Sequence, residues 1–451
     1  MTPAREEADL VVIGSGQGGV PLAATLAQRG RRVVLFDAGP LGGTCINVGC
    51  TPSKTLLAAA HAAGRARNAA AIGVHAAVVV DGPAVFERVR RVRDAFRAEI
   101  GRKLAAAGVE VVTSDVRFVG EREVEGGGRR VRGAVVVIDT GGRPNAPPIA
   151  GLEATPYLTS DTFFDLPDVP RSLAVIGGGY IGLELGQGAR RLGSEVTIVH
   201  PAERVLDREE PDATAVLQDA LLADGVRLEL GTQPASIGAA KVGVDVTLTN
   251  GKHVTADVLL VATGRRPNTA ALELAASGIA CTPAGYVVVD DYLQTACPNV
   301  YAIGDVAGQP AFTHVSWEDH RRILSTLDGV PRKRNDRVLS YTTFTEPQLG
   351  RTGMTLAQAQ AAGIDARAVT LPLSNVARGI EWDLEQGFFR LVVDRDGKIL
   401  GATFAGYEAG ELIHVIVALI EAGATWQVLA RAMFVHPTFA EGLPTLARLL
   451  A

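Results

Sequence analysis

The chain repeats one short grammar twice. Asp9 to Ile13 is an apolar run, and Gly14, Gly16 and Gly19 follow it in the spacing G-x-G-x-x-G. Val20 to Gln28 then reads as a helix stopped by Gly30, and Arg32 to Phe36 as a second strand with Asp37 at its tip. Far downstream the order recurs. Ser172 to Ile176 is a strand, Gly177, Gly179 and Gly182 form the turn, a helix runs to about Leu192, and Glu195 to Val199 is a strand. In such a unit the first glycine permits the tight turn, the second lets a pyrophosphate approach the backbone, and the third lets helix and strand pack closely. Two copies predict two doubly wound, Rossmann-like dinucleotide-binding domains of α/β class.

The strand tips differ. Asp37 is an acid that accepts hydrogen bonds from an adenosine ribose. The matching residue in the second copy is His200, which does not repel a ribose phosphate and pairs with one when protonated. Arg190, Arg191 and Arg204 lie nearby in sequence. The second site therefore leans to NADPH, with a bare surface histidine as the competing reading.

The rest of the chain sets boundaries. Ala84 to Ala107 is helical and rich in Arg and Glu, as a solvated helix face would be. The segments ending GGRPNAPPIAG and ATGRRPN read as strands running into turns between domains. Boundaries fall near 150 and 268. Residues 1–150 are expected to be the first part of one nucleotide domain, 151–268 the second domain, and 269–335 a return to the first. From 336 to 451 the texture is α+β: strands at Phe388 to Val393 and Ile399 to Phe404 flank a DRDG turn, and a helix spans about Gly410 to Glu421.

Composition excludes several classes. With 451 residues, 47% of them hydrophobic, the chain can bury a large core. A net charge of −5 argues against a nucleic-acid binder. No apolar leader precedes the first strand, and the apolar runs at 174–176 and 258–262 are too short to cross a bilayer. The expected location is the cytoplasm, without nucleic-acid or membrane partners. Four cysteines are too few for a disulfide-stapled secreted scaffold.

Two of those four are close. Cys45 and Cys50 lie in GGTCINVGCTPSK, from Gly42 to Lys54. In one regular helix their Cα atoms would be roughly 8–9 Å apart, beyond the ~7 Å that a disulfide tolerates. A bonded pair therefore needs Cys45 in a distorted first turn or just before the helix, and Gly49 and Pro52 suit such an irregular start. A helix N-terminus would favour a thiolate. Two buried free thiols, or ligands of an incomplete metal site, are the other readings of these residues alone.

With these motifs in order, the chain resembles the class I pyridine nucleotide–disulfide oxidoreductases, which include lipoamide dehydrogenase, glutathione reductase and mercuric reductase. The resemblance runs from Asp9 to Leu443. It implies FAD at Gly14, Gly16, Gly19 and Asp37, with Gly43 and Thr44 beside it and Asp305 of NVYAIGDVAG on the ribityl chain. It implies NAD(P)H at Gly177, Gly179 and Gly182, with Gly264 and His200 in the same site and Tyr180 as a movable cover or a packing residue. Lys54 and Glu184 match a pair that meets beside the flavin. Electrons would pass from NAD(P)H through FAD to a Cys45–Cys50 disulfide, with Cys50 on the flavin side and Cys45 exchanging with a disulfide or related acceptor. His436 and Glu441 of HPTFAEGL match an acid–base dyad that relatives lend across a homodimer, through a C-terminal dimerisation domain. No resident metal is implied.

AFTHVSWEDHRRI and FTEPQLGRTGMT look more like the mercuric-reductase-like branch, although no cysteine follows Cys297 to supply that branch's C-terminal pair. The rivals are an NAD-dependent dihydrolipoamide dehydrogenase, a metal-ion reductase and a catalytically silent flavoprotein subunit. Asp139, His314, Cys281 and Cys297 receive no role.

Overall fold

A computed structural model describes residues 4–451; residues 1–3, part of the stretch read above for a leader, lie outside the described residues. The first unit comprises β1 (Arg5–Ile13), α1 (Gly19–Gln28), β2 (Val33–Asp37), α2 (Gly43–Asn47), α3 (Cys50–Asn68), α4 (Gly82–Ala107), β3 (Glu110–Thr113), β4 (Arg117–Gly120), β5 (Glu123–Gly126) and β6 (Arg129–Ile138). Its sheet runs β3-β2-β1-β6-β5-β4, with β1 parallel to both β2 and β6. β1 starts at Arg5 rather than at Asp9, because Arg5 to Ala8 pair with Arg130 to Gly133. Its apolar residues are buried on both faces, as a central parallel strand requires. Val11 and Ile13 pack with Phe36 and Ile138 on one side, Leu10 and Val12 with Leu22 and Leu35 on the other.

After the short β7 (Gly142–Pro144) comes the second unit: β8 (Ser172–Ile176), α5 (Tyr180–Leu192), β9 (Glu195–His200), α6 (Pro211–Ala223), β10 (Arg227–Leu230), an antiparallel meander of β11 (Pro234–Ala239), β12 (Val244–Leu248) and β13 (His253–Ala256), and β14 (Val258–Val261). Its parallel sheet is ordered β10-β9-β8-β14. β15 (Arg265–Pro267) pairs antiparallel with β7. Thus the two similar segments TGGRPN and TGRRPN form one ribbon where the chain crosses between units. β16 (Val300–Ala302) then joins β6 in parallel, returning the chain to the first sheet. α7 (Thr313–Leu327) follows.

The last part is different. β17 (Ser340–Thr343), β18 (Gln348–Gly353), α8 (Leu356–Ala361), β19 (Ala366–Pro372), α9 (Ala377–Glu381), β20 (Phe388–Asp394) and β21 (Ile399–Gly406) give an antiparallel sheet ordered β17-β18-β21-β20-β19, with α10 (Ala409–Glu421), α11 (Trp426–Arg431) and α12 (Gly442–Arg448) beyond it. The fold is therefore two Rossmann-like units plus a separate C-terminal α+β domain.

One helix crossing positions the site. α3 packs on α5, where Leu56 and Ala60 meet Leu185 and Ala189 in a shared core. A Cβ on Gly188 would lie 3.1 Å from Leu57, so a small residue is needed for this approach. Each fully buried leucine here contributes about 1.5–3 kcal/mol. No helix among the described residues is long and apolar enough to cross a membrane.

Candidate active site

The cysteine segment is two helices, not one. α2 carries Cys45, the chain breaks at Val48–Gly49, and Cys50 opens α3. A Cβ on Gly49 would lie 2.8 Å from the Thr44 carbonyl oxygen and 3.1 Å from Cys45 Cα. Glycine there lets the start of α3 fold back on α2 and sets the two thiols side by side. Both are unbonded thiols in the structure. The buried Asn47 holds the bend: its Nδ2 donates to the carbonyls of Pro40 (2.9 Å), Leu41 (3.1 Å) and Gly43 (3.0 Å), and its Oδ1 accepts from Arg97 Nε (2.9 Å).

The two thiols are electrostatically unequal. Cys50 is drawn down to about 6, first by a hydrogen bond from Cys45, then by Thr313 and the Lys54 charge, against burial and Glu184. Cys45 is pushed up, because it donates that bond to a neighbouring thiolate and is itself shielded from water. Cys50 Sγ and Thr313 Oγ1 are 3.0 Å apart. A thiol at the first residue of a 19-residue helix also faces the positive end of its dipole.

The α3–α5 crossing brings Lys54 Nζ to 2.7 Å from Glu184 Oε2. Glu184 Oε1 accepts the Phe344 N–H at 2.9 Å, and the Lys54 ammonium sits 4.4 Å from the Phe344 ring centre. A cavity of about 770 Å³ is lined by Gly16, Thr44, both cysteines, Lys54, Tyr180 and Asp305, among others. It links the first glycine turn to the thiols. These residues fit FAD: a turn stripped of side chains borders one part, and a thiol pair with the Lys54–Glu184 ion pair, whose carboxylate is buried, borders another.

The two glycine turns are built alike. Gly14 has φ +102 and Gly177 φ +118. A Cβ would strike Asp139 O (2.3 Å) at Gly14 and Ala262 O (2.4 Å) at Gly177. Gly19 and Gly182 press on the carbonyls of Gly14 and Gly177 in the same way. Around Gly179 a Cβ would meet nothing within 4 Å, which leaves room for a ligand. The strand tips also correspond. Asp37 Oδ2 accepts the Ser15 N–H at 2.6 Å, and His200 Nδ1 accepts the Gly178 N–H at 3.2 Å. His200 is therefore not a bare surface residue. Its Nδ1 must be unprotonated to accept, which leaves Nε2 buried without a hydrogen-bond partner, 3.6 Å from Asp207.

Asp305 is mostly buried, and burial raises its carboxyl above the usual range while Arg265 opposes this. Arg265 Nε lies 3.8 Å from Asp305 Oδ2, and its NH2 donates to Thr44 Oγ1 at 3.1 Å. Gly264 has φ +109, and its carbonyl accepts the Asn145 N–H at 2.9 Å. Tyr180 opens α5, lines the cavity and lies against Phe312, with ring centres 6.0 Å apart. Arg265, Thr313, Asn47 and Phe344 were not singled out from the sequence. None of them had a visible signal: in the repeated TG-x-RPN segment Arg265 is the variable position, matched by Gly142 in the first copy.

His436 and Glu441 come together: Nδ1 to Oε2 is 2.8 Å across a turn. His436 is 72% exposed, and neither residue lines the cavity that holds Cys45. Met433 and Val435, just before it, are also exposed. Cys281 is exposed and Cys297 buried in the core beneath the first sheet. His314 Nε2 lies 2.6 Å from the Ser340 carbonyl oxygen at the cavity wall.

Fold and site together define a flavin-dependent thiol–disulfide enzyme, and the chain belongs to the pyridine nucleotide-disulphide oxidoreductase family. The family's main model matches residues 8–319 and its dimerisation-domain model residues 339–447. The family's domains bind FAD and NAD(P)H, and the chain is an FAD-dependent NAD(P)H–disulfide oxidoreductase. It is 37% identical to the mercuric reductase of Streptomyces lividans, over 98% of this chain and 95% of that one. It is 32% identical to the probable pyridine nucleotide-disulfide oxidoreductase RclA of Escherichia coli, over 98% of each. The solved structure of that HOCl-induced flavoprotein disulfide reductase matches with a TM-score of 0.89, covering 98% of this chain and all of that one. LpdA from Mycobacterium tuberculosis matches at 0.88 with 28% identity, over 98% of this chain and 99% of that one.

Proposed function

We propose that this chain is an NADPH-preferring reductase of the mercuric-reductase and RclA branch, whose acceptor is a small disulfide. The observation that carries it is the low-lying Cys50 thiol set between Cys45, Thr313 and the Lys54–Glu184 pair. FAD, when bound, supplies the two-electron relay between the nicotinamide and the thiols. Cys50 is the thiol on the flavin side and Cys45 the one that exchanges with substrate. Lys54 sets the positive charge near them, and Glu184 holds Lys54 in place. Asp37 and Asp305 hold ribose and ribityl hydroxyls, with Gly43 and Thr44 alongside. Gly177, Gly179, Gly182 and Gly264 form the nicotinamide-nucleotide site, with Tyr180 as its cover. His200 stands where an acid would hold free ribose hydroxyls, and so does not repel a ribose 2′-phosphate as a carboxylate would.

His436 and Glu441 serve a second subunit. The exposure of His436, and the absence of both residues from the cavity lining of their own chain, support a homodimer with a shared site. There His436 holds or releases the proton of the exchanging thiol, and Glu441 fixes its tautomer. The domain limits follow as 1–150 with 269–335, 151–268, and 336–451. Reduced-thiol chemistry with few cysteines fits the cytoplasm. A thiophilic metal ion is the second acceptor class, supported by the adjacent thiols and by relatives named as mercuric reductases or solved as a Cu(II) complex.

The test is anaerobic reduction with NADPH and with NADH, followed by a panel of disulfides, lipoamide, Cu(II) and Hg(II). NADPH is expected to reduce the protein faster than NADH, with a long-wavelength thiolate–flavin band, and a small disulfide to reoxidise it. Faster reduction by NADH, or no reoxidation by any disulfide of the panel, would overturn the assignment.

A further inference from the structure

Asp139 is a buried acid that the reaction leaves unused. It directly follows β6, and its N–H donates to the Ile13 carbonyl at 2.7 Å, so the two central strands fix its place. Its side chain turns into the first glycine turn and is 5% exposed. Oδ2 accepts the Gly19 N–H at 2.6 Å, and Oδ1 lies 3.2 Å from Ser316 Oγ. A Cβ on Gly16 would lie 2.5 Å from Oδ2, and one on Gly304 3.4 Å from Oδ1. The phosphate turn, the start of α7 and the Asp305 turn thus close around one carboxyl.

Gly19 is the first residue of α1, so its N–H has no partner within the helix. That helix end is the positive pole on which a pyrophosphate docks. An ionised Asp139 would place a fixed negative charge at the same pole. A neutral Asp139 keeps the Gly19 bond through its carbonyl oxygen and has an O–H for Ser316 Oγ. The charged groups around it favour the neutral form. Asp305 and Asp319 both face it, and their counter-ions, Arg265 and Arg337, lie against those acids instead. Asp37, in the same turn, is bound to Ser15. Burial first, and these two acids after it, raise Asp139 to about 8 against the Gly19 and Ser316 bonds.

We propose that Asp139 is the positioning residue of the FAD phosphate turn, and that FAD is held by the form of the chain in which this carboxyl carries its proton. The inference rests on the first glycine turn being the FAD site. Failure of the apoprotein to take up FAD at any pH would sink both, whereas uptake without a proton linkage would sink only this one.

The experiment is FAD binding to the full-length apoprotein, followed by flavin fluorescence from pH 6.5 to 9.5. The wild-type Kd is expected to be flat at the acid end and to rise about tenfold per pH unit once Asp139 ionises. Asp139→Asn keeps the shape and both polar contacts without titrating, and its Kd is expected not to change across the range. An equal slope in both proteins would overturn the proposal, because a merely space-filling role does not remove a pH dependence. Should the variant not fold, proton uptake by the wild-type apoprotein on binding FAD decides. More than about half a proton per FAD at pH 8.5 and almost none at pH 6.5 is expected, and no uptake at pH 8.5 overturns it.

Discussion

Cys45 and Cys50 share one proton unevenly, and the cause is local. Cys45 donates to Cys50, so Cys50 is the thiolate of the reduced pair above about pH 6. Removing the donor raises the Cys50 thiol towards its ordinary value. Cys45→Ala is therefore expected to move the midpoint of iodoacetamide alkylation at Cys50 upward by at least about one pH unit, to leave FAD bound, and to lower disulfide turnover by about a thousandfold or more. An unmoved midpoint would show that Lys54 and Thr313 alone set this thiol. The cysteines, Lys54 and Glu184 were legible because each sits in a short motif. Thr313 was not: its meeting with Cys50 spans 263 positions and has no local signature. His200 was found by counting from the glycine turn, but its Nδ1 bond to Gly178 was invisible, since side-chain orientation does not follow from spacing.

The element that matters most is the broken helix. The five-residue spacing required an irregular start to α3, and the structure supplies it as a separate α2 with Gly49 at the joint. Gly49→Ala drives a methyl group onto the Thr44 carbonyl, at a cost of about 1–3 kcal/mol. The relief is to move α2 away from α3. Thiol titration of the air-oxidised, denatured variant is then expected to approach four per chain, all the cysteines present, where a bonded Cys45–Cys50 pair leaves two. A value of two would mean that the bend does not depend on glycine. Asn47, which ties this bend to α4 through Arg97, could not be recognised in advance. Its three carbonyl partners face it only once the bend exists.

At the scale of the molecule, three regions converge on Arg191. This buried guanidinium of α5 bonds Asp224 Oδ2 at 2.7 Å and pairs with Glu346 of the C-terminal domain. Glu346 also binds Arg65 Nε of α3 at 2.6 Å, and its N–H donates to Gln187 Oε1 at 2.8 Å. Two residues earlier, Phe344 caps Glu184. The same loop thus braces the domains and the Lys54–Glu184 pair. Arg191→Met leaves two part-buried carboxylates short of one partner each, and a loss of about 1–3 kcal/mol is expected, read as a lower urea midpoint. A midpoint unchanged within error would remove the hub from the account. The sequence by itself determined the two dinucleotide units, the thiol pair and the α+β last domain, because glycine spacing, strand alternation and cysteine separation act over a few residues. Only the tertiary structure decided what meets Cys50, which way His200 faces, where Asp139 lies and how Glu346 bridges the domains. Those contacts arise from strand pairing and helix crossing between distant segments, and no local pattern encodes them.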